Sequence, residues 1–262
     1  MKKLPISAMV VGLNEGLLLK ECLTSIDFCD EILYADIGST DNSIEIAKLA
    51  SADIYYRNKV PSGEYIQSEI VHYTKHDWVI FIDPDECVDE SLKEQIFKEF
   101  DFIKNDLQIG AVSVPWQFYF KKHKLKGTIW GGENKKYFLV NKNRFNFLPI
   151  THHGRILKKG YKYYEILLNK SSTNILHHYW MNSYRIFLKK HQRYLKNEGK
   201  DEYVIGRRTS IKKIVLAPFT EFYFSLIEKK GYKDRFIGLL LSAFWAYYKT
   251  SVYLGIYREQ KK

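Results

Sequence analysis

The first ninety residues alternate between two kinds of segment, and that alternation leaves very few folds open. Four short apolar runs, PISAMVVGL, DEILYADIG, SADIYY and DWVIFID, have the length and near-continuous hydrophobicity of strands buried on both faces. Between them, EGLLLKECLTSI and STDNSIEIAKLA carry apolar residues at helical spacing. The second opens with residues that favour helix N-termini, and SEIVHYTKH reads as a third helix. Strands separated by helices at these intervals form βαβ units. The expected fold class is therefore α/β, with a mostly parallel, Rossmann-like sheet flanked by helices. Such sheets bind ligands beyond the carboxyl ends of their strands. Asn14, Asp36 and Asp83 each fall at such an end.

The fourth run, WVIFIDPDEC, leads straight into acids. In an extended chain residues two apart share a face, so Asp83 and Asp85 point together, Pro84 stiffens the turn, and Glu86 follows. Two carboxylates that close repel unless a cation or hydrogen-bond donors compensate. Mg²⁺ prefers oxygen ligands and takes one or two carboxylates along with substrate phosphates. The cluster thus suits a divalent metal holding a diphosphate. The plainer alternative is a solvated turn in which Asp83 caps the next helix.

SLKEQIFKEF reads as a helix, and IGAVSVPWQFYF, KKYFLVNKN and GYKYYEILL as extended segments. Near Ile175 the character changes to a basic helix, NSYRIFLKKHQRYLKNEGK, and an aromatic, apolar segment flanked by basic residues. Two domains follow, 1–176 for the sheet and 177–262 for a C-terminal helical extension. Charge divides in a similar way. Residues 1–110 hold 10 Lys and Arg against 21 Asp and Glu, whereas residues 111–262 hold 31 against 9. A basic half favours anionic partners. No nucleic-acid motif accompanies it, so nucleic acid is not the expected partner. FIGLLLSAFWAYYKTSVYLGIY is long enough as a helix to cross a bilayer. Its Lys249, its hydroxyl side chains and its rings favour the interface of an anionic membrane surface instead. The three cysteines form no CxxC pair, which fits a reducing, cytoplasmic compartment, and MKKLPISAMVVGLNEG reads as a first strand, not a signal peptide.

Taken in order, ISAMVVGLNE, DEILYADIGSTDNSIEIAKLA and DWVIFIDPDE resemble the family 2 glycosyltransferases of GT-A fold. ILHHYWMNSYRIFLKKHQRYLK and DRFIGLLLSAFWAYYK resemble the tail of the lipopolysaccharide-core beta-glucosyltransferase group within that family. The resemblance implies an inverting transfer of a sugar from a nucleotide-sugar donor, UDP-linked by preference. The acceptor would be a cell-envelope glycan, whether lipopolysaccharide core, capsule or a lipid-linked saccharide. The enzyme would work with Mg²⁺ or Mn²⁺, on the inner face of the bacterial cytoplasmic membrane. By the same resemblance Asn14 and Glu15 line the nucleotide pocket, Asp36 contacts the base, Asp83 lies near the ribose, and Asp85 and His178 serve the metal. Candidate bases are His153, with His152 beside it, Glu86 and Glu133. Asp41 reads as a helix cap. Two positions depart from the pattern. Gly154 stands where a Glu follows the His, and Ser68 and Glu69 stand where a basic residue and Asn precede the acids. These departures motivate the alternative of a catalytically degenerate binding or scaffold protein with the same fold.

Overall fold

The computed structural model describes residues 3–58, 60, 63–132, 134–150, 154–181 and 183–262. The N-terminal half runs Leu4–Gly12 (β1), Gly16–Ser25 (α1), Cys29–Asp36 (β2), Ser43–Leu49 (α2), Asp53–Tyr56 (β3), Gly63–Ile70 (α3), Trp78–Ile82 (β4), Glu86–Val88 (β5) and Glu90–Asn105 (α4). Then come Ile109–Phe120 (β6), His123–Lys124 (β7), Asn134–Asn141 (β8), Phe145–Phe147 (β9), Arg155–Leu157 (β10), Lys162–Glu165 (β11) and Leu176–Met181 (β12). The chain ends in Tyr184–Leu195 (α5), Glu198–Val204 (α6), Ile211–Tyr223 (α7) and Arg235–Lys261 (α8).

The four runs read as strands are strands, and they lie side by side in the order β3-β2-β1-β4, all parallel. β8 adds to β4 antiparallel, and the sheet continues through β6 and β12 to β5. The result is the expected α/β sheet flanked by helices, parallel where βαβ units build it and mixed beyond. β1 and β4 are covered on both faces, which is why their runs are apolar nearly throughout instead of alternating, whereas β3 at the sheet edge is half exposed. Ile6, Ala8 and Val10 pack with Leu19, Cys22, Leu23 and Ile26 of the α1 side, while Met9, Val79 and Phe81 pack with Ile66 and Ile70 of α3. All five residues of β4 are buried.

Two helices differ from the reading of the sequence. The third helix begins at Gly63 and ends at Ile70, earlier than SEIVHYTKH suggests. Ile66 and Ile70 bury against the sheet, and Thr74 closes the segment by donating from both its N–H and its hydroxyl to the Val71 carbonyl. The basic run after Asn182 forms two helices, α5 and α6, that part around Asn197.

The structure divides into two compact units. The first holds the described residues of 1–116, 135–149 and 153–178, and the second those of 117–134, 150–152 and 179–262. Residues 117–134, which the sequence assigns with the sheet, thus pack with the C-terminal helices. The second unit has an aromatic centre in which Trp130 lies 4.8 Å from Trp180 and Phe187 lies 4.4 Å from Phe244, ring to ring. Its buried Asp234 carboxylate accepts from the N–H groups of Lys126 and Gly127, at 2.9 and 2.7 Å, and faces His123 Nε2 at 3.0 Å. α7 is capped by Ser210, whose hydroxyl accepts from Lys213 N–H. It runs back along α8: Glu221 accepts from Trp245 Nε1 and Tyr253 Oη, and Ser225 meets Ser242.

Candidate active site

Parallel register brings three strand ends to one edge. Gly12 pairs with Asp36, and Val10 pairs with both Tyr34 and Ile82, so the residues after β1, β2 and β4 emerge together. The loops at this edge hold one another. Asn14, in a left-handed conformation (φ 57°), accepts from Thr40 N–H through its side-chain oxygen at 2.7 Å and donates its own N–H to Ser39. Glu15 donates its N–H to Ser43 Oγ. Asp36 closes its own turn, accepting from the N–H groups of Gly38 and Ser39 at 3.0 and 3.1 Å; Gly38 supplies the positive φ this turn requires. Asp41 accepts from Gly16 N–H, at the start of α1, and from Ser43, at the start of α2. Desolvation raises the Asp41 carboxyl's pKa, but the hydrogen bonds from Ser43 and Gly16 outweigh it and leave the group below its ordinary range.

The acids after β4 form a folded turn. Glu86 N–H donates to the Asp83 carbonyl at 2.9 Å, and Asp83 N–H donates to Glu86 Oε2 at 2.8 Å. This reciprocal pair draws the Glu86 side chain wholly inside, while the Asp83 side chain stays half exposed. β12 then pairs antiparallel with β5, and its register sets His178 opposite Glu86. His178 Nε2 lies 3.2 Å from Asp85 Oδ1, and Nδ1 lies 3.9 Å from Glu86 Oε1. The imidazole stacks on Trp116 at 5.2 Å with the planes 8° apart. Asp83, Asp85 and His178 each offer a ligand atom within 4.8 Å of the others. Two carboxylate oxygens suit either Mg²⁺ or Mn²⁺, and the imidazole nitrogen beside them suits the transition metal Mn²⁺ better than Mg²⁺. Glu86 Oε1, buried and without a hydrogen-bond partner among the described residues, lies beside them.

Two cations unnoticed in the sequence belong to this place. Lys136 of β8 is buried; its ammonium contacts Glu86 Oε2, lies 3.3 Å from Asp83 Oδ2 and sits 5.4 Å over the Trp116 ring. Burial alone would lower the Lys136 pKa, but Asp83 and Glu86 raise it above the ordinary value. Burial raises that of Glu86, against the pull of Lys136. Arg155 of β10 lies over Phe81 at 4.8 Å, its pKa lowered by desolvation and supported by Glu64, Asp83 and Glu86. A signal for Lys136 was present in the chain. In NKKYFLVN the exposed positions are Lys135 and Tyr137, so strand alternation turns Lys136 inward with Phe138. The high lysine content of the back half concealed it.

The structure thus gathers Asp83, Asp85, Glu86 and His178 into one cluster, with Asn14, Glu15 and Asp36 on the strand-end loops. His152, His153 and Glu133 lie outside the described residues. Glu69, at the position of the expected basic pair, accepts from Tyr55 Oη at 2.7 Å and pairs with Arg57 at 3.1 Å.

Comparison with known proteins adds a family. The model for glycosyl transferase family 2 matches residues 7–189. The SPbeta prophage-derived glycosyltransferase SunS of Bacillus subtilis (strain 168) is 30% identical over 96 residues, which cover 36% of this chain and 23% of SunS. The lipopolysaccharide core biosynthesis glycosyltransferase LpsC of Rhizobium meliloti (strain 1021) is 32% identical over 96 residues, 35% of this chain and 36% of LpsC. The chain therefore matches well under half the length of these two relatives. An uncharacterized glycosyltransferase of Rickettsia bellii (strain RML369-C) is 23% identical over 251 residues, 92% of this chain and 82% of that protein. Among solved structures, glucosyl-3-phosphoglycerate synthase from Mycobacterium tuberculosis, in complex with Mg²⁺ and uridine diphosphate, aligns at a TM-score of 0.36 and 21% identity over 42% of this chain and 43% of that one. With a model that matches from β1 into α5, the chain belongs to glycosyl transferase family 2.

Proposed function

We propose that the protein transfers a sugar, with inversion, from a nucleotide diphosphate to a hydroxyl of a cell-envelope glycan, working at the cytoplasmic face of a membrane. The observation that supports this most is the set Asp83, Asp85 and His178, within 4.8 Å, just beyond the end of β4. Asp85 and His178 would hold the divalent cation with Asp83 beside them, and a bound cation supplies charge neutralisation on the diphosphate as the sugar–phosphate bond breaks. Asn14 and Asp36 shape the loops where the nucleoside would lie. Glu86 is too enclosed to meet an acceptor hydroxyl; it anchors Lys136 and faces His178 Nδ1 at 3.9 Å. Trp116 fixes the imidazole plane. Asp83, half exposed, is the acid of the cluster best placed to meet the donor.

Calorimetric titration of UDP, with and without Mn²⁺, tests this on the full chain and on Asp85→Ala. The expected result is metal-dependent binding weakened at least about tenfold in the variant, the effect of losing a charged ligand contact. Binding equal in both proteins and indifferent to metal would replace sugar transfer with a binding or scaffold role. GDP, CDP and dTDP, titrated in the same way, distinguish a different donor from no donor.

A further inference from the structure

We propose that one face of α7 docks on an anionic lipid bilayer. Ile211, Val215, Phe219 and Tyr223 recur every four residues along α7, and Ile227 continues the line into the wide helical turn Phe224–Glu228. All five side chains stand in solvent, at 61, 63, 75, 56 and 44% exposure. Residues four apart share a helix face, so they form one stripe about 24 Å long at 1.5 Å per residue. α8 does not cover it. The edge of α7 that meets α8 is a different one, with Ala217 buried and Glu221 held by Trp245 and Tyr253.

An exposed apolar stripe of this length marks a docking surface, and the charge around it selects the partner. Lys212 and Lys213 lie at its start, and Lys229, Lys230, Lys233 and Arg235 at its far end. Of the acidic residues of the same stretch, Glu221 is tied to two rings and Asp234 is buried against backbone N–H groups, while Glu228 is exposed and outnumbered by the four basic residues that follow it. Apolar and aromatic side chains between basic ends are the pattern of a helix lying in the plane of an anionic interface. A second copy of the chain is the poorer fit, because a two-fold contact sets each patch against its own image and so lysine against lysine. Among the described residues no helix is long and apolar enough to cross a membrane. α8, whose sequence suggested the interfacial helix, serves largely as the support behind α7. This deepens the peripheral placement proposed above, and sedimentation reads it without donor, metal or turnover, so either reading can fail alone.

The test is co-sedimentation of the full chain with vesicles of phosphatidylcholine alone and of phosphatidylcholine with phosphatidylglycerol. The variants are Phe219→Glu, Val215→Glu, Lys212→Glu with Lys213→Glu, and Leu107→Glu as an exposed apolar control on the first unit. Thermal melts check folding, and light scattering gives the mass. Wild type and Leu107→Glu should sediment with anionic vesicles and be released by salt. Phe219→Glu and Val215→Glu should each lose about tenfold or more in partitioning, given the apolar area a single ring or branched chain removes from water. The double lysine variant should lose binding to the anionic vesicles. No binding of wild type to anionic vesicles, or equal binding of Phe219→Glu, overturns the proposal. So does a dimer that Phe219→Glu dissolves in the absence of lipid.

Discussion

Replacing Lys136 with alanine strands the Glu86 carboxylate, whose side chain has no exposed surface. Breaking a buried ion pair from one side costs about 3–5 kcal/mol, because the remaining charge keeps its desolvation penalty. Urea unfolding of Lys136→Ala should show a loss in that range, whereas Lys136→Met combined with Glu86→Gln should lose much less than the two single changes together. Asp30 tests charge at the surface. Hydrogen bonds from Lys75, and then from His76, hold its carboxyl down at about 2. A depressed carboxyl contributes stability above its unfolded value and loses it as pH falls through the folded value. The melting temperature of wild type should therefore exceed that of Asp30→Asn at pH 5, and the two should converge as pH falls towards about 2. At this scale the sequence was legible wherever a residue's role followed from its place on a strand. Asp83 and Asp85 were visible as a pair because an apolar run delivered them. Trp116 and Arg155 were not, since their roles come from stacking and from burial among distant acids.

Among the elements, β1 and β4 could be read because burial on both faces leaves a nearly unbroken apolar signature. α7 could not: Pro218 interrupts its interior, and an exposed stripe of Ile, Val and Phe reads as core until the packing partner is known. The lock at the start of α8 was equally hidden, because Asp234 is an ordinary acid in a basic run and its partners lie over a hundred residues earlier. Asp234→Ala leaves the N–H groups of Lys126 and Gly127 without their acceptor. Each stranded buried donor costs about 1–3 kcal/mol. Thermal or urea unfolding should show the second unit destabilised by that amount or more, with Asp234→Asn milder because one carbonyl oxygen remains.

Over the whole molecule, charge is divided between an acidic N-terminal stretch, which carries the acids of the cluster, and a basic remainder, which carries its histidine and the proposed membrane face. A ligand that binds only the folded state stabilises it by mass action, about 2.7 kcal/mol at a hundred times its dissociation constant. Mn²⁺ should therefore raise the melting temperature of wild type, and Asp85→Asn should abolish the shift. The pairing of β12 with β5 has a consequence in time. Glu86 and His178 stand opposite each other across that ladder, yet roughly ninety residues separate them along the chain. At about 5–20 residues per second, a ribosome delivers the histidine some 5–20 seconds after the acids. During that interval β5 is an edge with no neighbour, and the acids wait without the imidazole that will face them. A nascent chain stalled before Leu176 has every parallel strand of the N-terminal βαβ units and no centre, so the site is assembled last in its own unit.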